Sequence, residues 1–249
     1  MIAFAVLGLG EAGARIAADL AQAGAEVRGY DPVRTIVPGV AHTVDAGAAV
    51  AESDVVLCLT SAAAARRAAE AVLPRLTPGA VYADLNTAAP ALKRELAALV
   101  GARFADVALL GPVPTRGLAT PAVASGPAAA AFAAAVAPLG MPVEVVSEIP
   151  GDAAALKLLR SVFMKGLAAA ALESLDGAAA AGHADWLEGQ LAGVIGPAML
   201  ERLLEGSRRH AQRRVDEMDA ACDLLVSLGV EPRIAAASRA VLADLGDLE

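Results

Sequence analysis

The sequence predicts an α/β chain. It reads as a doubly wound, mostly parallel sheet with helices on both faces over residues 1–150, followed by an all-helical domain over residues 151–249. Three observations carry this. The apolar run Ile2–Leu7 leads straight into Gly8-Leu9-Gly10-Glu11-Ala12-Gly13 and then into an alanine-rich amphipathic stretch. Short apolar runs keep alternating with such stretches up to about residue 150, which is the pattern of βα units. After Pro150-Gly151 the strand-like alternation stops.

The first unit is strand, G-x-G-x-x-G turn and helix, the order of a Rossmann dinucleotide-binding unit. Gly8 permits the tight turn, Gly10 lets a pyrophosphate approach the backbone, and Gly13 allows close packing of helix on strand. Leu9, Glu11 and Ala12 complete the turn, and the helix start offers free N–H groups to phosphates. The helix runs over about 11–23 and stops at Gly24. A second strand over 25–31 ends in Asp31, 23 positions after Gly8. That is close to the roughly 20 expected for the acid that binds the adenosine ribose. Its carboxylate would repel a 2′-phosphate, so NAD is the expected cofactor. Arg34, three residues on, keeps NADP open.

Further strands are expected at 54–59, 80–85, 103–109, 120–124 and 142–146, with helices around 62–73, 88–100 and 128–137. Ligands of open α/β sheets sit beyond the carboxyl ends of strands. Leu59, Thr60 and Ser61 lie there after one strand, and Asn86-Thr87 after the next. These polar residues either contact the cofactor or substrate or simply cap the following helices. Pro90 marks the start of the next helix.

Composition narrows the rest. Net charge is −8 and the pI about 5.0, which argues against nucleic acid or an anionic membrane as partner. Cys58 and Cys222 stand far apart in apolar contexts and read as buried free thiols of a reducing compartment. The three histidines are scattered, so no metal site is expected. Mean hydropathy is +0.55, but the longest uncharged stretch, Gly117 to Val143, is broken by four prolines. With no basic leader before the first strand, the chain reads as cytoplasmic.

The helical half is expected as segments over 152–179, 184–205, 207–228 and 231–245. Lys157, Ser161 and Lys165 recur at four-residue spacing on one face of its first helix, among alanine, leucine, valine, phenylalanine and methionine. Two lysines there are either general acid/base groups beside a dry cleft or snorkelling surface cations. His210, Arg213, Arg214 and Glu217 fall at i, i+3, i+4 and i+7. This stripe is either an anion-holding face or a solvated, internally paired one. The cleft between the domains is the default active site.

With these residues in view, the chain resembles the β-hydroxyacid dehydrogenases, the superfamily of 3-hydroxyisobutyrate dehydrogenase, 6-phosphogluconate dehydrogenase and imine reductases. Gly8–Gly13 matches its G-L-G-x-M-G turn except at Ala12. Asp84-Leu85-Asn86-Thr87-Ala88-Ala89-Pro90 matches its D-x-S-T-x-x-P, with Asn86 for serine. Gly151 through Lys157 matches its G-x-x-x-x-x-K helix, with Ser161 where asparagine is usual. The resemblance places the catalytic acid/base on Lys157. It departs at the substrate loop, D-A-P-V-S-G-G in the family, where this chain has Leu110-Gly111-Pro112. Leu110 has no side-chain donor and Pro112 no N–H, so either the substrate is less polar or its acid group is held elsewhere, by Lys165, His210, Arg213 and Arg214 on this reading. The run Arg160–Gly166 and the stretch around His210 resemble the branch with a phosphogluconate-dehydrogenase-like C-terminal domain. The resemblance implies an NAD(P)-dependent oxidoreductase acting on a small hydroxy-acid or carbonyl substrate, homodimeric through its helical domain. Imine reduction, oxidative decarboxylation and a non-catalytic dinucleotide-binding regulator stay open.

Overall fold

The computed structural model describes residues 2–33 and 36–246. Its contacts divide into two compact units, Met1–Lys157 and Leu158–Glu249. Among the described residues the first unit holds one eight-stranded sheet. Its strands are β1 (Ala3–Leu7), β2 (Glu26–Tyr30), β3 (Ala41–His42), β4 (Val55–Cys58), β5 (Val81–Asp84), β6 (Phe104–Leu109), β7 (Ala122–Ser125) and β8 (Val143–Ser147). They lie in the order β3-β2-β1-β4-β5-β6-β7-β8, parallel throughout except for the β6–β7 pair.

Period-two alternation builds a core on each face. Phe4 and Val6 of β1, with Val55 and Leu57 of β4, point into one cluster. There they meet Ile16 and Leu20 of α1 (Glu11–Gln22) and Phe132 and Val136 of α6 (Ala129–Val136). Ala5 and Leu7, with Val56 and Cys58, point into the other. That face is covered by α2 (Ala46–Val50), α3 (Ala62–Val72) and α4 (Pro90–Val100), through Val50, Val72 and Leu96. Successive strand side chains face opposite sides, so burial on both faces fits the apolar runs that predicted these strands. The order reverses between β1 and β4, which makes the carboxyl end of β1, where the glycine turn begins, a topological switch point.

The sheet unit differs from expectation in small elements. β3 is two exposed residues with no apolar alternation, and α2 is a five-residue helix capped by Asp45, whose carboxylate accepts from the Ala48 N–H at 2.7 Å. A four-residue helix, α5 (Val113–Arg116), follows the Leu110-Gly111-Pro112 loop. α4 begins at Pro90, two residues later than expected, because proline takes the first helical position readily.

Helix α7 (Asp152–Ala180) starts in the first unit and continues into the second. The second unit adds α8 (Ala184–Ile195), α9 (Pro197–Arg209), α10 (Ala211–Ser227) and α11 (Arg233–Gly246). Leu158, Met218, Ala221, Ala235 and Leu242 form its buried centre. Two expected helices are corrected here. The helix expected over 184–205 is two, since Gly196 takes φ +85° and Pro197 opens α9. The helix expected over 207–228 is interrupted at His210, whose φ of −133° ends α9 and precedes α10. No helix among the described residues is long and apolar enough to cross a membrane.

Candidate functional site

The three glycines of the turn are there for different reasons. Gly8 has φ +91°, and a Cβ on it would lie 2.5 Å from the Leu59 carbonyl oxygen. A Cβ on Gly13 would lie 1.9 Å from the carbonyl oxygen of Gly8. The fold itself requires both. Gly10 has an ordinary φ of −63°, and a Cβ there would meet nothing within 4 Å. Neither backbone nor packing demands glycine at Gly10, and it stands at the N-terminus of α1, which no side chain caps. An open approach to bare backbone at a helix N-terminus suits a dinucleotide pyrophosphate. Around it, Glu11 is exposed in the first turn of α1 and Ala12 packs against the core.

Asp31 is tied to the turn. One carboxylate oxygen accepts from the Leu9 N–H at 2.7 Å and the other from the Val33 N–H at 2.8 Å. The acid thus fastens the glycine turn to the end of β2. Arg34 lies outside the described residues.

Beyond β4 and β5 the expected polar residues come together. The Leu59 N–H donates to the Leu7 carbonyl at 2.8 Å, continuing the sheet. The Asn86 amide donates to Asp84 Oδ1 at 2.5 Å and reaches Thr60 Oγ1 and Cys58 Sγ, each at 3.5 Å. Ser61 caps α3 through the Ala64 N–H. Asn86 and Thr87 cap nothing, since α4 starts at Pro90 without a side-chain cap. Thr87 Oγ1 instead accepts from Lys157 Nζ at 2.7 Å. Burial, with the neighbouring Asp84 charge, pushes the Cys58 thiol up, so it is an inert wall of this edge.

A buried network supports this edge, and Lys93, which the sequence reading passed over, is its centre. Lys93 is 1% exposed and sits between Asp84 and Asp106, both 0% exposed. Its ammonium donates to Asp84 Oδ2 at 2.6 Å and to the Asp84 carbonyl at 2.8 Å, and lies 3.0 Å from Asp106 Oδ1. Burial opposes the charge, but the two carboxylates outweigh it and the ammonium's pKa is raised. The other Asp106 oxygen accepts from the Ala154 N–H at 3.0 Å, and Ser125 Oγ accepts from Ala153 at 3.0 Å. Negative charge at a helix N-terminus is favourable, so the start of α7, and Lys157 with it, is fastened to β6 and β7. A sequence signal existed: Lys93 shares the spacing of the buried α4 residues Pro90, Leu96 and Val100.

In the second unit Ser161, Lys165 and Glu217 form their own cluster. Lys165 Nζ lies 2.9 Å from Glu217 Oε2 and 3.5 Å from Ser161 Oγ, and the Ser161 hydroxyl donates to Glu217. Burial lowers the Lys165 pKa; Glu217 works against that, and Arg214 and Arg213 reinforce it. The expected stripe is split. Arg214, half-buried, donates to Ser207 Oγ at 2.6 Å, Arg213 is exposed, and His210 stands at the break before α10 rather than on a helix. Glu217 was expected only as part of the stripe, and the structure makes it the cluster's centre.

In the loop after β6, the Leu110 N–H is committed to the Pro121 carbonyl at 2.8 Å. Gly111 is half-buried, and exposed Pro112 immediately precedes α5. Neither Leu110 nor Pro112 offers a donor to a carboxylate.

A doubly wound sheet with a bare glycine turn at its switch point defines a dinucleotide-binding protein. The family described as the NAD binding domain of 6-phosphogluconate dehydrogenase matches residues 3–134, more than half of the chain, and a helical domain of unknown function, DUF1932, matches residues 178–245. The chain belongs to this NAD-binding, β-hydroxyacid dehydrogenase family. A probable 3-hydroxyisobutyrate dehydrogenase of Mycobacterium bovis is 40% identical over 105 residues, covering 40% of this chain and 36% of that protein. The match thus spans little more than a third of the curated relative's length. A conserved hypothetical protein from Sinorhizobium meliloti 1021 is 30% identical, with a TM-score of 0.75 over 98% of this chain and 88% of that one. The 3-hydroxyisobutyrate dehydrogenase of Mycobacterium tuberculosis shares the fold at a TM-score of 0.82 and 24% identity, over 99% of this chain and 94% of that one.

Proposed function

We propose that the chain is an NAD(P)-dependent oxidoreductase of a small hydroxy-acid or carbonyl-type substrate, with Lys157 as its general acid/base. The observation that carries this is the hydrogen bond from Lys157 to Thr87, at the carboxyl edge of β5 and in the same compact unit as the glycine turn. Gly8–Gly13 would hold the pyrophosphate, Asp31 and Arg34 the adenosine end, and Leu59, Thr60, Asn86 and Thr87 the sheet edge beside it. Asp31 favours NAD over NADP. The bound nicotinamide supplies or accepts a hydride. Lys157 takes the proton from a substrate hydroxyl on oxidation and returns it on reduction, and Thr87 fixes the direction of its Nζ. In the second unit Ser161 is the proposed orienting hydroxyl, with Lys165, His210, Arg213 and Arg214 as anion-holding groups.

The test is a panel of 3-hydroxy acids, aldehydes and cyclic imines with both cofactors, followed by NAD(P)H absorbance. Lys157→Ala should lower turnover by about 10²–10⁴-fold while NAD(H) binding, read by fluorescence titration, stays intact. An unchanged turnover, or cofactor binding with every substrate inert, would sink the assignment. A second reading, imine reduction, is favoured by Leu110 and Pro112, which leave the substrate loop without its carboxylate donors. Preferential turnover of cyclic imines would establish it.

A homodimer through the helical unit is part of the same proposal. No residue of α8 is buried, and its Trp186 is 66% exposed and Val194 81%. Apolar surface of that kind calls for a partner. A monomer by light scattering at working concentration would remove this element.

A further inference from the structure

The chain has three lysines against seventeen arginines, and the lysines are Lys93, Lys157 and Lys165. All three sit in the polar networks described above, and the sheet unit holds two of them. We propose that Lys93 is a positioning residue for Lys157, clamping from inside the sheet the two supports between which Lys157 Nζ is held.

The first support is the loop after β5. Lys93 grips Asp84 by its Oδ2 and its carbonyl, and the other Asp84 oxygen holds Asn86, the neighbour of Thr87. The second support is the first turn of α7. Lys93 pairs with Asp106, whose far oxygen takes the N–H of Ala154, three residues before Lys157. Gly151, just before α7, also lies close against the start of α4, since a Cβ on it would stand 2.9 Å from the Pro90 carbonyl oxygen. The loop thus fixes the acceptor of the Lys157 hydrogen bond and the helix turn fixes its stem. The Lys93 ammonium links the two from inside the sheet, beside the β5–β6 pairing of Asp84 with Asp106.

Lysine suits this task for a chemical reason. Its compact ammonium has three donors, and three oxygens surround it here: Asp84 Oδ2, the Asp84 carbonyl and Asp106 Oδ1. Without the ammonium two carboxylates face each other in a dry interior, and like charges so placed repel or take up a proton. Either outcome changes the hydrogen bonds that hold the two supports. The inference rests on reading Lys157 as the acid/base, but its test needs no substrate.

Because the chain has so few lysines, each can be followed separately. The full-length protein is reductively methylated with ¹³C-formaldehyde, which reaches Lys157 and Lys165 and spares buried Lys93. The methyl signals are assigned with Lys157→Arg and Lys165→Arg. In wild type, Lys157 should give one sharp signal displaced from that of free lysine. In Lys93→Met it should move to the free-lysine position or broaden, while the Lys165 signal from the other unit stays in place. A merely structural role of Lys93 would disturb both signals or neither. An unmoved Lys157 signal in a folded Lys93→Met protein overturns the proposal.

Should Lys93→Met not fold, the unaltered protein still decides through amide hydrogen exchange. The Ala153 and Ala154 amides should exchange about 100-fold or more slowly than first-turn amides that lack an acceptor. Unprotected amides there would mean that α7 is not fastened, and the proposal falls. Loss of turnover in Lys157→Ala is a separate measurement, so failure of the activity and failure of the clamp are told apart.

Discussion

Lys93, buried in the sheet unit, and Lys165, partly buried in the helical unit, are both ammonium groups paired with carboxylates, yet their proton affinities move in opposite directions. Lys93 is 1% exposed and its pKa is raised; Lys165 is 15% exposed and its pKa is lowered. Desolvation is the largest influence on both, and it is more complete at Lys93. What differs is the company. Lys93 has Asp84 and Asp106, while Lys165 has Glu217 alone and two arginines at its back. Burial penalises any charge, and the number of opposing charges then decides the outcome. The surroundings therefore favour the charged form of Lys93 and disfavour that of Lys165.

The largest test of this contrast is Lys93→Met. Removing the ammonium leaves two buried carboxylates unpaired, and breaking such a pair costs about 3–5 kcal/mol. Urea unfolding at neutral pH should show that loss, and a cost below about 1 kcal/mol would mean that the triad carries little net charge. Next comes Asp106→Asn, which gives Lys93 the single carboxylate that Lys165 has. It removes one charged contact and weakens the α7 cap, for an expected loss of about 2–3 kcal/mol. Its sharper consequence is that the Lys93 pKa should fall. Glu217→Gln follows at about 1.5 kcal/mol, because its pair is less completely buried. It should lower the Lys165 pKa further, read from the methyl signal of ¹³C-labelled Lys165. An unchanged value would show that burial and the arginines, not Glu217, govern the site.

The contrast also explains what was legible in the sequence. The glycine turn, Asp31 and the Asn86-Thr87 edge could be found because each is a local pattern at a fixed place in a βα unit. Most strands could be found because burial on both faces leaves continuous apolar runs, such as Val55–Cys58. β3 could not, being two exposed residues on an edge. Gly196-Pro197 carried a readable stop signal within a run taken as one helix. The break at His210 had none, since no glycine or proline lies between Arg208 and Ala211. Lys93 was missed for a tertiary reason. Its partners lie 9 positions before and 13 after it, on two neighbouring strands, and only the sheet brings them together. A charged residue at a buried helical spacing was the one trace it left.

The smallest effect tests the sign of the comparison directly, through stability at alkaline pH. Lys93 has a folded pKa above its unfolded value, so its contribution is fully present below about 10.4 and is lost as pH rises through the folded value. Lys165 has a folded pKa below its unfolded value. Between the two the unfolded chain binds more protons, so stability rises with pH across that window. Cys58 and Tyr82, whose raised pKa values come first from burial, add a decline of the same sign as Lys93, so differences between proteins are the useful quantity. Urea unfolding of wild type, Asp106→Asn and Lys165→Met is compared from pH 8 to 11. The wild-type advantage over Asp106→Asn should shrink as pH rises, while its stability relative to Lys165→Met should grow. Each unit of pKa separation is worth about 1.4 kcal/mol, which sets the scale of both slopes. Slopes of the same sign would mean that the two lysines respond to burial alone, and the contrast between them would fail.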